Sequence, residues 1–253
     1  MVLRLYNAKI LASPFESPFD GEIFIENGRI LRMMPAGSVF SVYPDREIDC
    51  EGNLLTSGFC NAHTHSAMCL FRGAADDLPL ERWLYDRIFP MEDKLTPEDI
   101  YWGTMLQLCE FVRSGITCFA DMYFCLDSVY EAAKNAGLCV ALCGGENSFS
   151  ENDVLKQIEI SYNKYSTISD RVRFFPGLHA EYTCEETLIE RVADFAAECG
   201  AKTYIHLSET LKEVGDCTVR HGGLTPPQYL YKLGFFENGG LAAHCVYADK
   251  DDI

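Results

Sequence analysis

The rhythm of apolar and polar residues changes near residue 58. Before it, LRLYNAKIL, GEIFIENGRILRMM and REIDCEGNLL alternate with the two-residue period of half-buried strands. The turn signals Glu26-Asn27-Gly28 and Glu51-Gly52-Asn53 punctuate them. Residues 1–57 are therefore read as a small β-unit. After residue 58, short apolar runs alternate with amphipathic stretches. Strands are expected at 58–62, 116–123, 138–143, 172–178, 203–207 and 240–246. Helices are expected after Thr96-Pro97-Glu98, at 128–135 closed by Gly137, around 154–165, at 185–198 closed by Gly200, and at 226–233. Strict strand–helix alternation predicts a parallel sheet with crossover helices, an α/β fold. Six strands are two short of an eight-stranded barrel, so residues 58–253 are read as an incomplete TIM-type barrel with open edges at its first and sixth strands.

In such a barrel the functional side chains gather at the C-terminal ends of the strands. Five of the six histidines fall there: His63 and His65 end the first strand, His179 the fourth, His206 the fifth and His244 the sixth. An isolated His-Thr-His could equally lie in a surface turn. Five imidazoles at four strand ends instead point to a metal centre, because alternate strand residues share a face and neutral imidazoles are metal ligands. Glu209, three residues past His206, is placed to move protons to and from a metal-activated water. His221, in VRHGGL, is expected to be a solvated loop residue.

Composition narrows the setting. With 48% apolar residues the chain can bury a substantial core, and a formal charge of −17 argues against nucleic acid as a partner. Neither a signal peptide nor a membrane-spanning run is read, and no polybasic patch suggests a membrane surface. The twelve cysteines are taken as free thiols, with Cys118, Cys139, Cys143 and Cys245 inside apolar runs as small buried hydrophobes. A reducing, cytoplasmic setting and a small-molecule substrate are expected, and self-association into a homo-oligomer is left open.

The strand-end motifs HTH, IHLSET and AAHCVY resemble those of the amidohydrolase superfamily. The longer run HTHSAMCLFRGAADDLPLERWLYDRIFPMED resembles the S-adenosylhomocysteine and 5′-methylthioadenosine deaminases, with the triazine chlorohydrolases nearby. The likeness covers nearly the whole chain. It implies a (β/α)8 metal-dependent hydrolase barrel in which residues 1–57 form part of a small β-sandwich. It also implies His63, His65 and His206 as metal ligands, for zinc with Fe2+ or Mn2+ as alternatives. Glu209 would be the proton shuttle and His244 the residue that orients or deprotonates the attacking water. Trp83, Glu92 and His179 would bind the substrate, Glu92 through ribose hydroxyls. The implied activity is hydrolytic deamination of an adenosine-type nucleoside with release of ammonia. A triazine or pyrimidine aminohydrolase, a chlorohydrolase and an inactive metal-binding fragment are the alternatives.

Two departures stand out. The family's fourth ligand is an aspartate on the eighth strand, so the chain is read as truncated and residues 1–253 alone are expected to be catalytically silent. Asp121 ends the second strand and is read as packing or capping there. Where these deaminases carry an arginine after the third strand, this sequence has Leu142-Cys143-Gly144-Gly145, which puts the tail of the substrate in question.

Overall fold

The computed structural model describes residues 1–149 and 153–253, which divide into two compact units, Met1–Gly58 and Phe59–Ile253. The first unit is a mixed sheet. Strand β1 (Val2–Leu11) pairs antiparallel with β2 (Phe19–Glu26), which forms a hairpin with β3 (Arg29–Pro35). Asn27 and Gly28 both have positive φ at the hairpin turn, the backbone that an Asn-Gly pair tolerates best. Strands β4 (Arg46–Asp49) and β5 (Leu54–Thr56) both pair parallel with β1, so the third apolar run seen in the sequence is two short strands around a turn.

The second unit is an arc of parallel strands. Strands β6 (Phe59–Thr64), β7 (Ile116–Met122), β8 (Cys139–Cys143) and β9 (Val172–Phe174) form one sheet in that order. Strands β10 (Gly177–Ala180), β11 (Thr203–Leu207) and β12 (Gly240–His244) form another. The run 172–178, expected as one strand, is divided at Phe175-Pro176. Phe175 still donates its N–H to Leu142 of β8 (2.9 Å), whereas the Pro176 carbonyl accepts from Tyr204 of β11 (3.3 Å). Proline has no N–H to give, so the ladder changes partner there. A parallel bridge between Glu146 and Leu178 links the two sheets.

Helical segments connect the strands. After β6 come two short α-helical turns, α1 (Leu80–Trp83) and α2 (Phe89–Glu92), joined through a π-helical stretch at Leu84–Ile88. Then follow α3 (Pro97–Arg113), α4 (Leu126–Ala136), α5 (Val154–Tyr165), α6 (Glu186–Cys199), α7 (Leu211–Arg220) and α8 (Pro226–Lys232). Helix α3 starts on a complete Thr96–Asp99 capping box with proline at its first position, which satisfies orphan N–H groups of the first turn. Gly137 and Gly200 close α4 and α6 in the left-handed conformation.

Strand side chains alternate between two environments. Phe119, Val140, Leu142, Ile205 and Leu207 pack with helix residues such as Ile100, Leu108, Val129, Ile158 and Val192 in the main core. Ala120, Met122, Cys143, Tyr204 and Ala243 form a separate cluster on the opposite, concave face. Of the four cysteines expected to be buried only Cys143 is; Cys118 and Cys139 are half-buried, and Cys245, one residue past the end of β12, is exposed. No helix among the described residues is long and apolar enough to cross a membrane.

Gly177 marks the closest approach of β10 to its surroundings. A Cβ there would lie 2.4 Å from the Tyr204 carbonyl oxygen and 2.5 Å from Cys143 Sγ. Gly177→Ala should therefore cost roughly 1–3 kcal/mol of stability, read as a lowered denaturant midpoint with an unchanged slope. A variant as stable as the parent would mean that the strands can separate freely at this point.

Asp121 caps the turn after β6, its Oδ2 accepting from the Ser66 N–H at 3.1 Å. Complete burial pushes its carboxyl up to about 7. A carboxyl with a raised folded pKa holds its proton longer when folded. Its contribution to stability is therefore whole below about pH 4 and lost as pH rises through about 7. Asp121→Asn should escape this loss. Urea unfolding at pH 5 and pH 8 should show the asparagine variant gaining on the parent at the higher pH. The opposite trend would mean that the ionised form is the favoured one in the fold.

Candidate active site

The concave ends of the strands bring five imidazoles together. His63 and His65 come from the end of β6, His206 from β11, His179 from β10 and His244 from β12. Ring centroids separate His63 from His65, His206 and His244 by 4.9 Å each, and His179 from His206 by 5.0 Å. Ligand nitrogens of His63, His65 and His206 all lie within 4.8 Å of one another.

Hydrogen bonds decide which nitrogens face inward. His206 Nδ1 donates to the His179 carbonyl at 2.9 Å, and His65 Nδ1 donates to the Met122 carbonyl. A carbonyl can only accept, so both rings carry their proton on Nδ1 and present a bare Nε2. Those two Nε2 atoms face each other at 3.3 Å, two lone pairs with no proton between them. His63 follows the same pattern. Its Nδ1 meets the Tyr204 hydroxyl at 2.6 Å, and that hydroxyl donates onward to the Ala62 carbonyl at 3.3 Å. Three converging lone pairs suit a divalent cation and little else, and outward Nδ1–H bonds are the usual supports of metal-ligating histidines.

The electrostatics agree. Desolvation, reinforced by the neighbouring imidazoles, holds His63 down to about 3 and His206 down to about 2, and burial lowers His65 as well. All three stay neutral at physiological pH, the form a metal requires.

Backbone geometry aims the remaining groups. Ser208, at the end of β11, and His244 and Cys245, at the end of β12, have φ of 50°, 75° and 50°. Left-handed backbone at non-glycine residues costs energy and clusters at functional sites. Here it redirects Glu209 and His244 so that Glu209 Oε2 lies 3.7 Å from His244 Nε2. His244 in turn stacks on His206, with centroids 5.2 Å apart and planes 25° apart. The Glu209 loop is held by Glu213, whose carboxylate accepts from the N–H groups of Ser208 (2.7 Å) and Glu209 (2.8 Å).

A cavity of about 830 Å³ opens beside the imidazoles, and its lining includes His65, Trp83, Glu92, His179 and His206. His63, Glu209 and His244 are not among its lining residues. Apolar and aromatic groups, among them Leu84, Phe89, Phe124 and Tyr182, form much of the remaining wall. Glu92 receives a hydrogen bond from the Tyr123 hydroxyl at 2.7 Å, and burial raises its pKa.

Sequence reading missed Tyr204, Tyr123 and Glu213. Tyr204 had a signal, since it lies two residues before His206 on the same strand face. Glu213 had one in the Thr210–Glu213 capping box. His221 is corrected: it is not solvated but half-buried, bonded to Glu181 at 2.8 Å and stacked on Tyr229.

A parallel strand–helix arc with a histidine cluster at the strand ends defines a hydrolase-type barrel. Residues 54–253 match the Amidohydrolase family, and the chain belongs to that family. It is 42% identical over 239 residues to a 5-methylthioadenosine/S-adenosylhomocysteine deaminase of Pelotomaculum thermopropionicum, covering 92% of this chain and 55% of that protein. A protein of the same name from Syntrophomonas wolfei is 41% identical, with 91% and 56% covered. The chain thus spans about half the length of these relatives. Its fold superposes on an adenosine deaminase from Xanthomonas campestris with bound zinc, at a TM-score of 0.88 and 26% identity, covering 99% of this chain and 59% of that one. A guanine deaminase of C. acetobutylicum, at 18% identity and a TM-score of 0.83, shares the fold. The architecture is that of the (β/α)8 amidohydrolase barrels.

Tyr204→Phe tests the support of His63. Losing the hydroxyl frees the Nδ1 proton and should weaken zinc binding by ~10-fold or more, measured by competition with a chromophoric chelator. Unchanged affinity would show that the Tyr204 contact does not orient the ring.

Proposed function

We propose that this chain carries the catalytic centre of a zinc-dependent hydrolytic deaminase acting on an adenosine-type nucleoside: 5′-methylthioadenosine, S-adenosylhomocysteine or adenosine. One observation carries the reading: three bare imidazole nitrogens converge beside a cavity large enough for a nucleoside. The names of the relatives supply the substrate class.

In this reading His63, His65 and His206 hold the ion. When bound, zinc supplies Lewis acidity that brings a water's pKa to about 7. Trp83 gives the base an aromatic wall, and Glu92, fixed by Tyr123, accepts from sugar hydroxyls. His179 lines the same cavity and contacts the substrate. Glu209 takes a proton from the attacking water and delivers it to the ring nitrogen beside the amine-bearing carbon. Glu209 then carries the proton of the newly added hydroxyl to the amine, so that the C–N bond breaks with release of ammonia and the hydroxyl oxygen becomes a carbonyl; an unprotonated amine leaves poorly. His244, stacked on His206 and facing Glu209, orients the water and shares its proton.

The test is ammonia release from the three nucleosides, measured with zinc-loaded protein on the 253-residue chain and on a fusion that supplies the part of the Pelotomaculum relative the chain does not span. Glu209→Gln, in whichever form turns over, should keep its zinc and lose turnover by at least ~10²-fold. Zinc-loaded protein that releases no ammonia from any adenosine derivative in either form would remove the reading. A glutamine variant with near-normal turnover would remove Glu209 from it.

A further inference from the structure

A second cluster of metal-ligating side chains lies outside the imidazole centre. Glu181, in the short turn that follows β10, is 3% exposed, and Cys217, on α7, is fully buried. His221 caps the C-terminal end of the same helix, four residues beyond Cys217, so both side chains leave one helix face. The Glu181 oxygen, the Cys217 sulfur and a His221 nitrogen all lie within 4.8 Å of one another.

We propose that Glu181, Cys217 and His221 form a second divalent-metal site, suited to zinc or cobalt and independent of the deaminase reading. Carboxylate, thiolate and imidazole are the three donor types zinc takes. With metal–ligand distances of about 2.0–2.3 Å, the donors of a tetrahedral site stand about 3.3–3.8 Å apart. His221 Nε2 is now 2.8 Å from Glu181 Oε1, so the imidazole and carboxylate need separate only slightly to admit an ion.

The surroundings are already arranged for it. The His221 ring is clamped flat against Tyr229, with centroids 3.5 Å apart and planes 16° apart, and Tyr229 is itself tied to Glu186 at 2.8 Å. Arg220 donates to Glu181 Oε2 at 2.5 Å, leaving Oε1 to the ion. The guanidinium then supports the carboxylate from behind rather than competing for the same oxygen. Burial and the nearby Glu181 carboxylate keep the Cys217 thiol protonated without metal, pushed up to about 12. Binding therefore releases that proton to solvent, and His221 presents Nε2 to the ion only with its proton on Nδ1. Two anionic ligands then cancel the charge of the ion, and the remaining positive charge sits on Arg220, whose side chain is 41% exposed to solvent.

The location gives the ion something to do. Glu181 lies two residues beyond His179, and α7 begins two residues beyond Glu209. An ion at this point would staple the two loops that carry those candidate substrate and proton-transfer groups.

Cobalt titration of chelator-stripped protein tests the site. Thiolate ligation gives Co2+ a near-ultraviolet sulfur-to-metal charge-transfer band, which the all-imidazole cluster of His63, His65 and His206 cannot produce. The band should form in the parent and persist in His206→Ala, where the other centre is broken. It should be lost in Cys217→Ser and in His221→Gln, which keeps a hydrogen-bond donor for Glu181 while removing the ligand. Zinc counted by chelator competition should fall by one equivalent per chain in those two variants. A parent that shows only imidazole-bound cobalt overturns the proposal. A band that survives Cys217→Ser overturns it by assigning the signal to another cysteine. Should the serine variant not fold, a band that persists unchanged in His221→Gln overturns it by removing His221 from the ligand set.

Discussion

The active-site end of the barrel is organised by where three imidazole protons go. Each of His63, His65 and His206 spends its Nδ1 proton on an oxygen of the scaffold: a tyrosine hydroxyl and two strand-end carbonyls. This fixes each tautomer and turns every Nε2 lone pair toward one point. Bare lone pairs 3.3 Å apart repel, an arrangement that a cation bound between them would relieve. Much of the surrounding geometry exists to keep those oxygens still. Met122 and His179 stand at the ends of strands, and Tyr204 is fully buried in the concave face.

The same arrangement explains why so much was legible in the sequence. Strand ends are marked by apolar runs giving way to polar residues, and histidines at those junctions are conspicuous in a chain with so few. The two-residue period then sends His63 with His65, and Tyr204 with His206, to common faces. The resemblance to the amidohydrolases, carried by the same motifs, extended this reading to the family, which the match over residues 54–253 supports.

What escaped the sequence depends on contacts between distant residues or on weak local signals. Helix α7 reads LKEVGDCTVR: its apolar residues keep to one face but are few, and a glycine sits among them, so the helix is masked despite a complete capping box. The segment from α1 to α2 is broken by a π-helical stretch and by Pro90, and neither half is long enough to announce itself. His221 was misread because its partner, Glu181, lies forty residues earlier in the chain and is met only when α7 packs beside the end of β10. The handover at Pro176 is plain in retrospect. The proline was visible, but the identity of the second partner strand was not.

That handover has a thermodynamic consequence. Because the ladder changes partner at Pro176, β6–β9 and β10–β12 are separate hydrogen-bonded sheets, linked among the described residues by the Glu146–Leu178 bridge. Such a seam is where sub-global opening begins, below the cost of unfolding the whole. His63 and His65 belong to the first sheet and His206 to the second. An ion held by all three would be a cross-link over the seam, and its binding free energy would add to the cost of parting the sheets as the logarithm of metal concentration over Kd. Occupancy of the cluster and cooperativity of the barrel would then be a single linked equilibrium, with amide exchange along β9 and β10 as its gauge.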